Sequence, residues 1–128
     1  MRFALLILAL LSMGMVQGKD LRIIRSENGK ELDVAMLAKD LGKYDIIFFG
    51  EFHDNQAVHQ LQSEILPLLG AKNELILSFE MFERDVQSVL TAYVRGDINE
   101  EEFLTQSRPW GNYATDYRPL VEYAKIHK

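Results

Sequence analysis

Polar side chains that can bind a metal or move a proton follow two apolar runs of the sequence, residues 44–49 and 74–79. The four metal candidates are, in chain order, Glu51, His53, His59 and Glu80. Alternate residues of an extended chain point the same way, so Glu51 and His53 are predicted to share one direction. Carboxylates and imidazoles together hold divalent metals or serve as general acid and base. Polar residues also end strands and cap helices without any further role, and that alternative stays open.

A second group of polar and aromatic residues falls in the loop predicted before the last helix. Its candidates for binding a flat, partly apolar ligand such as haem are Arg108, Trp110, Tyr113, Tyr117 and Arg118. Tyrosine is a ligand of haem iron in some proteins, and arginine suits the propionate carboxylates. A loop that packs its rings over the protein core is the alternative, and the residues alone leave both open.

The order of predicted elements places both groups in an α/β fold. Predicted strands cover 21–25, 44–49 and 74–79, and predicted helices cover 32–41, 54–69, 83–95, 100–106 and a last segment opened by Thr115 or Asp116. Continuous apolar runs without alternation are typical of strands buried on both faces. Strands separated by long crossovers indicate a parallel-sheet core with βαβ crossovers and helices on its faces. The strand ends of such a sheet meet at one crevice, where Glu80 would approach Glu51.

Several residues mark the predicted helix ends. Asp54 or Asn55 is a candidate N-cap for the helix over 54–69, and Asn99 is one for the helix over 100–106. Gly96 is predicted to end the helix before it, since glycine adopts the left-handed conformation of a helix C-terminus without penalty.

The first eighteen residues have the layout of a secretory signal. Arg2 supplies one positive charge, the apolar run 3–16 follows, and small or modest side chains precede a cleavage site before Lys19. The run is shorter than the ~20 residues that a membrane-spanning helix needs. We therefore expect residues 1–18 to be a signal peptide and residues 19–128 to be exported to the periplasm, or loosely associated with a membrane. A buried N-terminal helix is the alternative.

Composition excludes several classes of protein. The 128 residues include no cysteine, which excludes a disulfide scaffold, a zinc–thiolate site, a cysteine nucleophile and the lipidated cysteine of a bacterial lipoprotein. Membrane anchoring through a lipid is therefore not expected. The formal net charge of −5 argues against nucleic acid as a partner, because nucleic-acid binding needs a basic face.

Three motifs occur together in one order along the chain. They are FGEFHDN at 49–55 with His59 and Gln62, LSFEMFERD at 77–85 with Gln87, and Trp110 with YRPLVEYAK at 117–125. This set resembles the ChaN-like haem-binding uptake family of the Tiki superfamily, over about residues 44–127. The resemblance implies an exported bacterial protein with an α/β core that binds haem, works in iron and haem uptake, and forms a homodimer. It favours a haem-binding protein over an enzyme.

The resemblance also bears on the candidate residues. It implies a tyrosine as the haem ligand, and Tyr113 and Tyr117 are the candidates here. The wider superfamily includes metal-dependent proteases that use the same Gly-x-x-His and glutamate motifs. A metal-dependent hydrolase, with a divalent metal held by Glu51, His53 and Glu80, is therefore the alternative function.

Chain length adds one expectation. In the family that this chain resembles, the helix corresponding to 117–125 leads into a further core strand, and a similar length of chain follows. The sequence here has 128 residues. We therefore expect a truncated member, in which residues 19–128 form the N-terminal part of a larger α/β domain, and an inactive fragment is a further alternative.

Overall fold

The computed structural model describes residues 3–6, of which it gives the backbone alone, and residues 21–127. The strands are β1 (Phe3–Leu6), β2 (Ile23–Ile24), β3 (Glu31–Leu32) and β4 (Ile46–Phe49). The helices are α1 (Val34–Leu41), α2 (Gln56–Gly70), α3 (Gln87–Arg95), α4 (Glu100–Ser107) and α5 (Arg118–Ile126). The chain divides into two compact units, the first ending at Glu74 and the second beginning at Leu75.

The first unit is built from a small hairpin and two helices. Strands β2 and β3 pair antiparallel, with Ile23 opposite Leu32, and Gly29 turns between them at a φ of +69° that favours glycine. Helices α1 and α2 pack their apolar stripes on each other and on this hairpin. The buried core consists of Ile23, Leu32, Leu37, Ala38, Leu41, Leu61, Ile65 and Leu69.

Strand β4 pairs in parallel with β1, and Ile46 lies opposite Phe3. Strand β1 falls within the predicted signal peptide, so a chain cleaved before Lys19 would lack this partner. The rest of the predicted signal lies outside the described residues. The expectation that β4 is buried on both faces is wrong, because Phe48 is 55% exposed.

The strand predicted over 74–79 is absent from the structure. The segment has no regular secondary structure, and Ile76 is 95% exposed. A strand needs a neighbour that satisfies its backbone groups, and no strand among residues 21–127 or 3–6 pairs with this segment. The mixed α/β class is confirmed, but parallel pairing among the described residues is limited to β1 and β4, so the predicted parallel-sheet core is not shown.

The second unit packs three helices around aromatic rings. Its buried cluster consists of Met81, Tyr93, Phe103, Tyr113, Tyr117 and Val121. Gly96 ends α3 at a φ of +84°. Asn99 begins α4 with a capping box: its side chain accepts from the backbone N–H of Glu102, and the Glu102 side chain accepts from the backbone N–H of Asn99. Both predictions are confirmed. The last helix begins at Arg118, later than predicted, because a π-helical turn over Tyr113–Tyr117 precedes it.

No helix in the described part of the chain is both long enough and apolar enough to cross a membrane.

Candidate functional site

The turn between β4 and α2 brings three of the four predicted metal candidates into one polar network. The side chain of Asn55 accepts hydrogen bonds from the backbone N–H groups of Ala57 and Val58, which fixes the start of α2. His59 and Gln62 then lie three residues apart, so they share one helix face. His59 is buried, 2% exposed, and its side chain faces back toward the turn.

Four side chains are linked in this network. Gln62 donates its Nε2–H to Glu51 Oε2 at 2.5 Å. The other carboxylate oxygen, Oε1, lies 3.3 Å from Nδ1 of His53. His59 Nδ1 lies 3.1 Å from Gln62 Oε1 and 3.5 Å from Glu51 Oε2, and its Nε2 lies 3.1 Å from the carbonyl oxygen of His53. We call these residues, Glu51, His53, His59 and Gln62, the turn network.

Both ring nitrogens of His59 face acceptor atoms. The His53 carbonyl can only accept, so His59 Nε2 donates to it. Gln62 uses its amide N–H on Glu51, so its oxygen faces His59 Nδ1. Both ring nitrogens of His59 therefore lie against polar atoms of the protein, which hold the ring between α2 and the turn. A nitrogen that donates a hydrogen bond has no lone pair left for a metal.

The predicted divalent-metal set is not assembled as a coordination group. Within residues 21–127 no group of three or more His, Cys, Asp or Glu side chains is arranged to hold a metal ion. Glu80, the fourth candidate, belongs to the second unit, whereas the turn network belongs to the first. Gln62 was not predicted as a site residue, although its spacing of three from His59 was the available signal.

In the second unit, the predicted tyrosine candidates are buried in the aromatic cluster. The ring of Tyr113, 3% exposed, packs against Phe82 and Phe103 with centroids 6.3 and 5.7 Å away. Its hydroxyl makes no hydrogen bond with the described residues. Burial, followed by the negative charges of Glu100 and Glu122, raises the pKa of the Tyr113 phenol well above its usual value. Forming the phenolate that iron prefers is therefore unfavourable in this conformation.

Tyr117 is also buried, and its ring meets Trp110 edge to face at 6.2 Å. The π-helical turn over Tyr113–Tyr117 places both tyrosines on the interior side. Such turns are rare and occur often at functional sites. The tyrosine and tryptophan candidates therefore come together in space as part of a packed cluster.

The two arginine candidates lie at the surface of the second unit in ion pairs. Arg108 ends α4 in the left-handed conformation, φ +50°, and donates to Glu83 and Asp85 at 2.8 Å each. Arg118 donates to the two carboxylate oxygens of Glu100 at 2.5 and 2.7 Å. These carboxylates raise the pKa of both guanidinium groups. An acidic ligand would compete with them for the arginines.

Two further contacts in the second unit, both made by Tyr93, were not predicted. Tyr93 donates its hydroxyl hydrogen bond to Glu122, and the ammonium of Lys125 lies 3.7 Å from the centre of the Tyr93 ring. Burial, then the hydrogen bond to Glu122, raises the pKa of the Tyr93 phenol. The spacing of Glu122 and Lys125 on α5 was a weak signal for this contact, because their partner lies on another helix.

The fold and the site define a mixed α/β protein with an imidazole–carboxylate turn and an aromatic loop. The family described as haem-binding uptake, Tiki superfamily, ChaN matches residues 37–128. The match covers well over half of the chain, so this protein belongs to that family and the resemblance is confirmed. No curated protein and no solved structure matches the chain significantly.

Proposed function

We propose that this protein binds haem and takes part in bacterial haem uptake after export to the periplasm. The observation that carries the proposal is its membership of the haem-binding uptake family over residues 37–128. Three sequence motifs within that range, rather than one, support the assignment. Export rests on the layout of residues 1–18, and a homodimer stays a prediction from the family resemblance.

The described residues fit haem chemically in two places. In the first unit, the half-exposed His53 follows the exposed Phe52 directly in the sequence. In the second unit, Trp110 and two tyrosines pack in one cluster, and two surface arginines lie close to them in the sequence. Haem needs an axial ligand for iron, apolar contacts for the porphyrin faces and partners for two propionates, and these residue types supply all three.

The metal-dependent hydrolase alternative finds no specific support in the geometry. A catalytic metal needs several ligands with lone pairs that converge and an open position for water. In the turn network both ring nitrogens of His59 lie within hydrogen-bond distance of protein atoms, and no group of three or more metal ligands is arranged within residues 21–127. We therefore propose haem binding, and not hydrolysis, as the function.

A hemin titration tests the proposal directly. The protein, purified from the full sequence, is titrated with hemin while the Soret absorption is followed, and iron-free protoporphyrin IX serves as the control for ligation. We expect a saturable Soret shift with hemin and weaker binding of the iron-free ring. Absence of a saturable change with hemin would overturn the proposed function.

The export step has its own measurement. The protein is expressed in a Gram-negative host, and the periplasmic fraction is analysed by intact mass. A product that begins at Lys19 is the expected result. A product that keeps Met1 and stays in the cytoplasm would contradict the assignment of residues 1–18 as a signal peptide.

A further inference from the structure

We propose that the predicted signal peptide serves as a strand of the folded precursor, and that its pairing with β4 withholds it from the export machinery. This inference rests on the proposed export and adds a control on when export can occur. Residues 3–6 of the predicted signal form β1, which pairs in parallel with all four residues of β4. The start of the signal therefore has a place in the folded chain before any cleavage.

Strand β4 is held in the first unit through one of its faces. Ile47 and Phe49 pack against the buried core of that unit, while Phe48, which points the opposite way, is 55% exposed. This packing leaves the backbone N–H and C=O groups of the strand in need of partners, and an open strand edge readily takes up another strand. Among the described residues, β1 is the one strand that pairs with β4. The signal therefore supplies hydrogen bonds that this edge of β4 would otherwise lack.

The geometry of the pair suits a partner from the same chain. The register runs without an offset from Phe3 opposite Ile46 to Leu6 opposite Phe49. Parallel strands need a connection of a dozen or more residues, and residues 7–45, which include α1, provide it. Both strands consist of apolar residues, FALL and IIFF, so neither places a charge in the ladder.

Pairing and export exclude each other for the same residues. The apolar run 3–16 is the central region of the predicted secretory signal, and β1 lies at its start. A backbone engaged in a ladder with β4 is not available to a receptor at the same time. A chain that folds before it reaches the export machinery thus hides its own signal, and export selects chains that have not yet folded. Cleavage before Lys19 then removes β1, so the pair cannot form again.

The pair is also weak enough to open. Strands β1 and β4 form a sheet of two strands among the described residues, and two strands alone are marginally stable in water. Such a pair opens locally at a lower free energy than the core beneath it. Folding is therefore expected to slow the release of the signal and not to abolish it.

Hydrogen exchange of the full-length protein tests the pairing. The signal contains the dipeptide Ala-Leu twice, at 4–5 within β1 and at 9–10 beyond it, so Ala9→Pro/Leu10→Pro is a matched control for Ala4→Pro/Leu5→Pro. Adjacent N–H groups of a strand point to opposite edges, so two consecutive prolines remove a donor that faces β4 in either register. We expect the β4 amides that face β1 to exchange at least about tenfold faster in Ala4→Pro/Leu5→Pro than in the wild type, and unchanged in the control.

Cleavage of the precursor measures the masking itself. Bacterial signal peptidase in detergent micelles receives each full-length protein either folded or freshly diluted from urea. We expect the folded wild type to be cleaved before Lys19 at least about tenfold more slowly than its unfolded form. The ratio of the two rates should approach one in Ala4→Pro/Leu5→Pro and match the wild type in Ala9→Pro/Leu10→Pro. Each ratio compares a protein with itself, so effects of proline on recognition by the peptidase cancel.

Two results would overturn the inference. The first is wild-type β4 with amides that exchange as fast as those of Ala4→Pro/Leu5→Pro. The second is a folded wild type that is cleaved as fast as the unfolded one, a comparison that needs no variant and stands even if the prolines prevent folding. A wild type that is cleaved in neither state would instead show that the export assignment is wrong, and the masking would be rejected with it.

Discussion

In the first unit the candidate side chains hold one another by hydrogen bonds around a half-exposed imidazole, whereas in the second unit the candidate rings are buried in an apolar cluster. Glu51, Gln62 and His59 leave His53 at the surface with its ring oriented. Tyr113 instead has its ring packed and its hydroxyl without a hydrogen-bond partner among the described residues. Residues of the right type for haem therefore occur in both units, half exposed in the turn of the first and buried in the cluster of the second.

This difference separates two kinds of stabilisation. The turn network depends on donors and acceptors matched one to one, so removing one member leaves others unsatisfied. The aromatic cluster depends on apolar area and ring packing, so its response to substitution follows volume. The four predictions below, from the largest expected effect to the smallest, test this division.

Phe103→Ala should have the largest effect. Phe103 is fully buried, and its ring stacks on Tyr93 at 4.4 Å. Truncation leaves a cavity that costs about 3–5 kcal/mol of the free energy of unfolding. Denaturant unfolding measures the loss, and Leu104→Ala, at the partly exposed neighbouring position, should cost about 1 kcal/mol. Equal losses for the two variants would show that the aromatic cluster is not the core of its unit.

His59→Ala should destabilise the protein by about 2 kcal/mol, because it removes a buried ring together with its hydrogen-bond contacts to Gln62 and to the His53 carbonyl. Thermal and denaturant unfolding report the change. The control Gln60→Ala alters an exposed neighbour on the same helix and should stay within about 0.5 kcal/mol of the wild type. A His59→Ala variant as stable as Gln60→Ala would contradict the matched donors and acceptors of the turn network.

The same kind of helix cap, an asparagine N-cap, occurs in both units, so its contribution to stability can be compared between them. Asn55 begins α2 in the first unit and Asn99 begins α4 in the second. Each substitution by alanine should cost about 1 kcal/mol in unfolding free energy, and each substitution by serine should recover most of it. A loss at one position and none at the other would show that the units do not contribute alike to the measured transition.

Tyr113→Phe should have the smallest effect on stability, within about 0.5 kcal/mol of zero, because the deleted hydroxyl has no partner among the described residues. Tyr93→Phe is the matched control: it removes the hydrogen bond donated to Glu122 and should cost about 1 kcal/mol. Both are measured by chemical unfolding. If Tyr113→Phe costs as much as Tyr93→Phe, its hydroxyl is engaged and the contrast between the units weakens.

Signals that act within a few residues were predicted correctly from the sequence. Asn55, Asn99 and Gly96 mark helix ends because a cap bonds to, or turns, the backbone beside it. The family motifs are also short stretches of sequence, and the match over residues 37–128 confirms the family that they indicated.

Features that need distant partners were not predicted. The run 74–79 has the composition of a buried strand, yet a strand forms only when another strand pairs with it, and none among the described residues does. The same reason explains the site. The spacing of Glu51 and His53 is visible in the sequence, but the hydrogen bond from Gln62 to Glu51 spans 11 residues and depends on how α2 packs.

The sequence by itself therefore determined the helices with their caps, the mixed α/β class, the family and the residue types that suit haem. The tertiary structure alone decided which of those residues is accessible and which partners each one meets. Burial and hydrogen-bond partners are properties of the packed chain: they enclose Tyr113, hold both ring nitrogens of His59 against protein atoms and leave His53 half exposed. A linear pattern of residues fixes what a side chain can do, and its neighbours in space fix what it is able to reach.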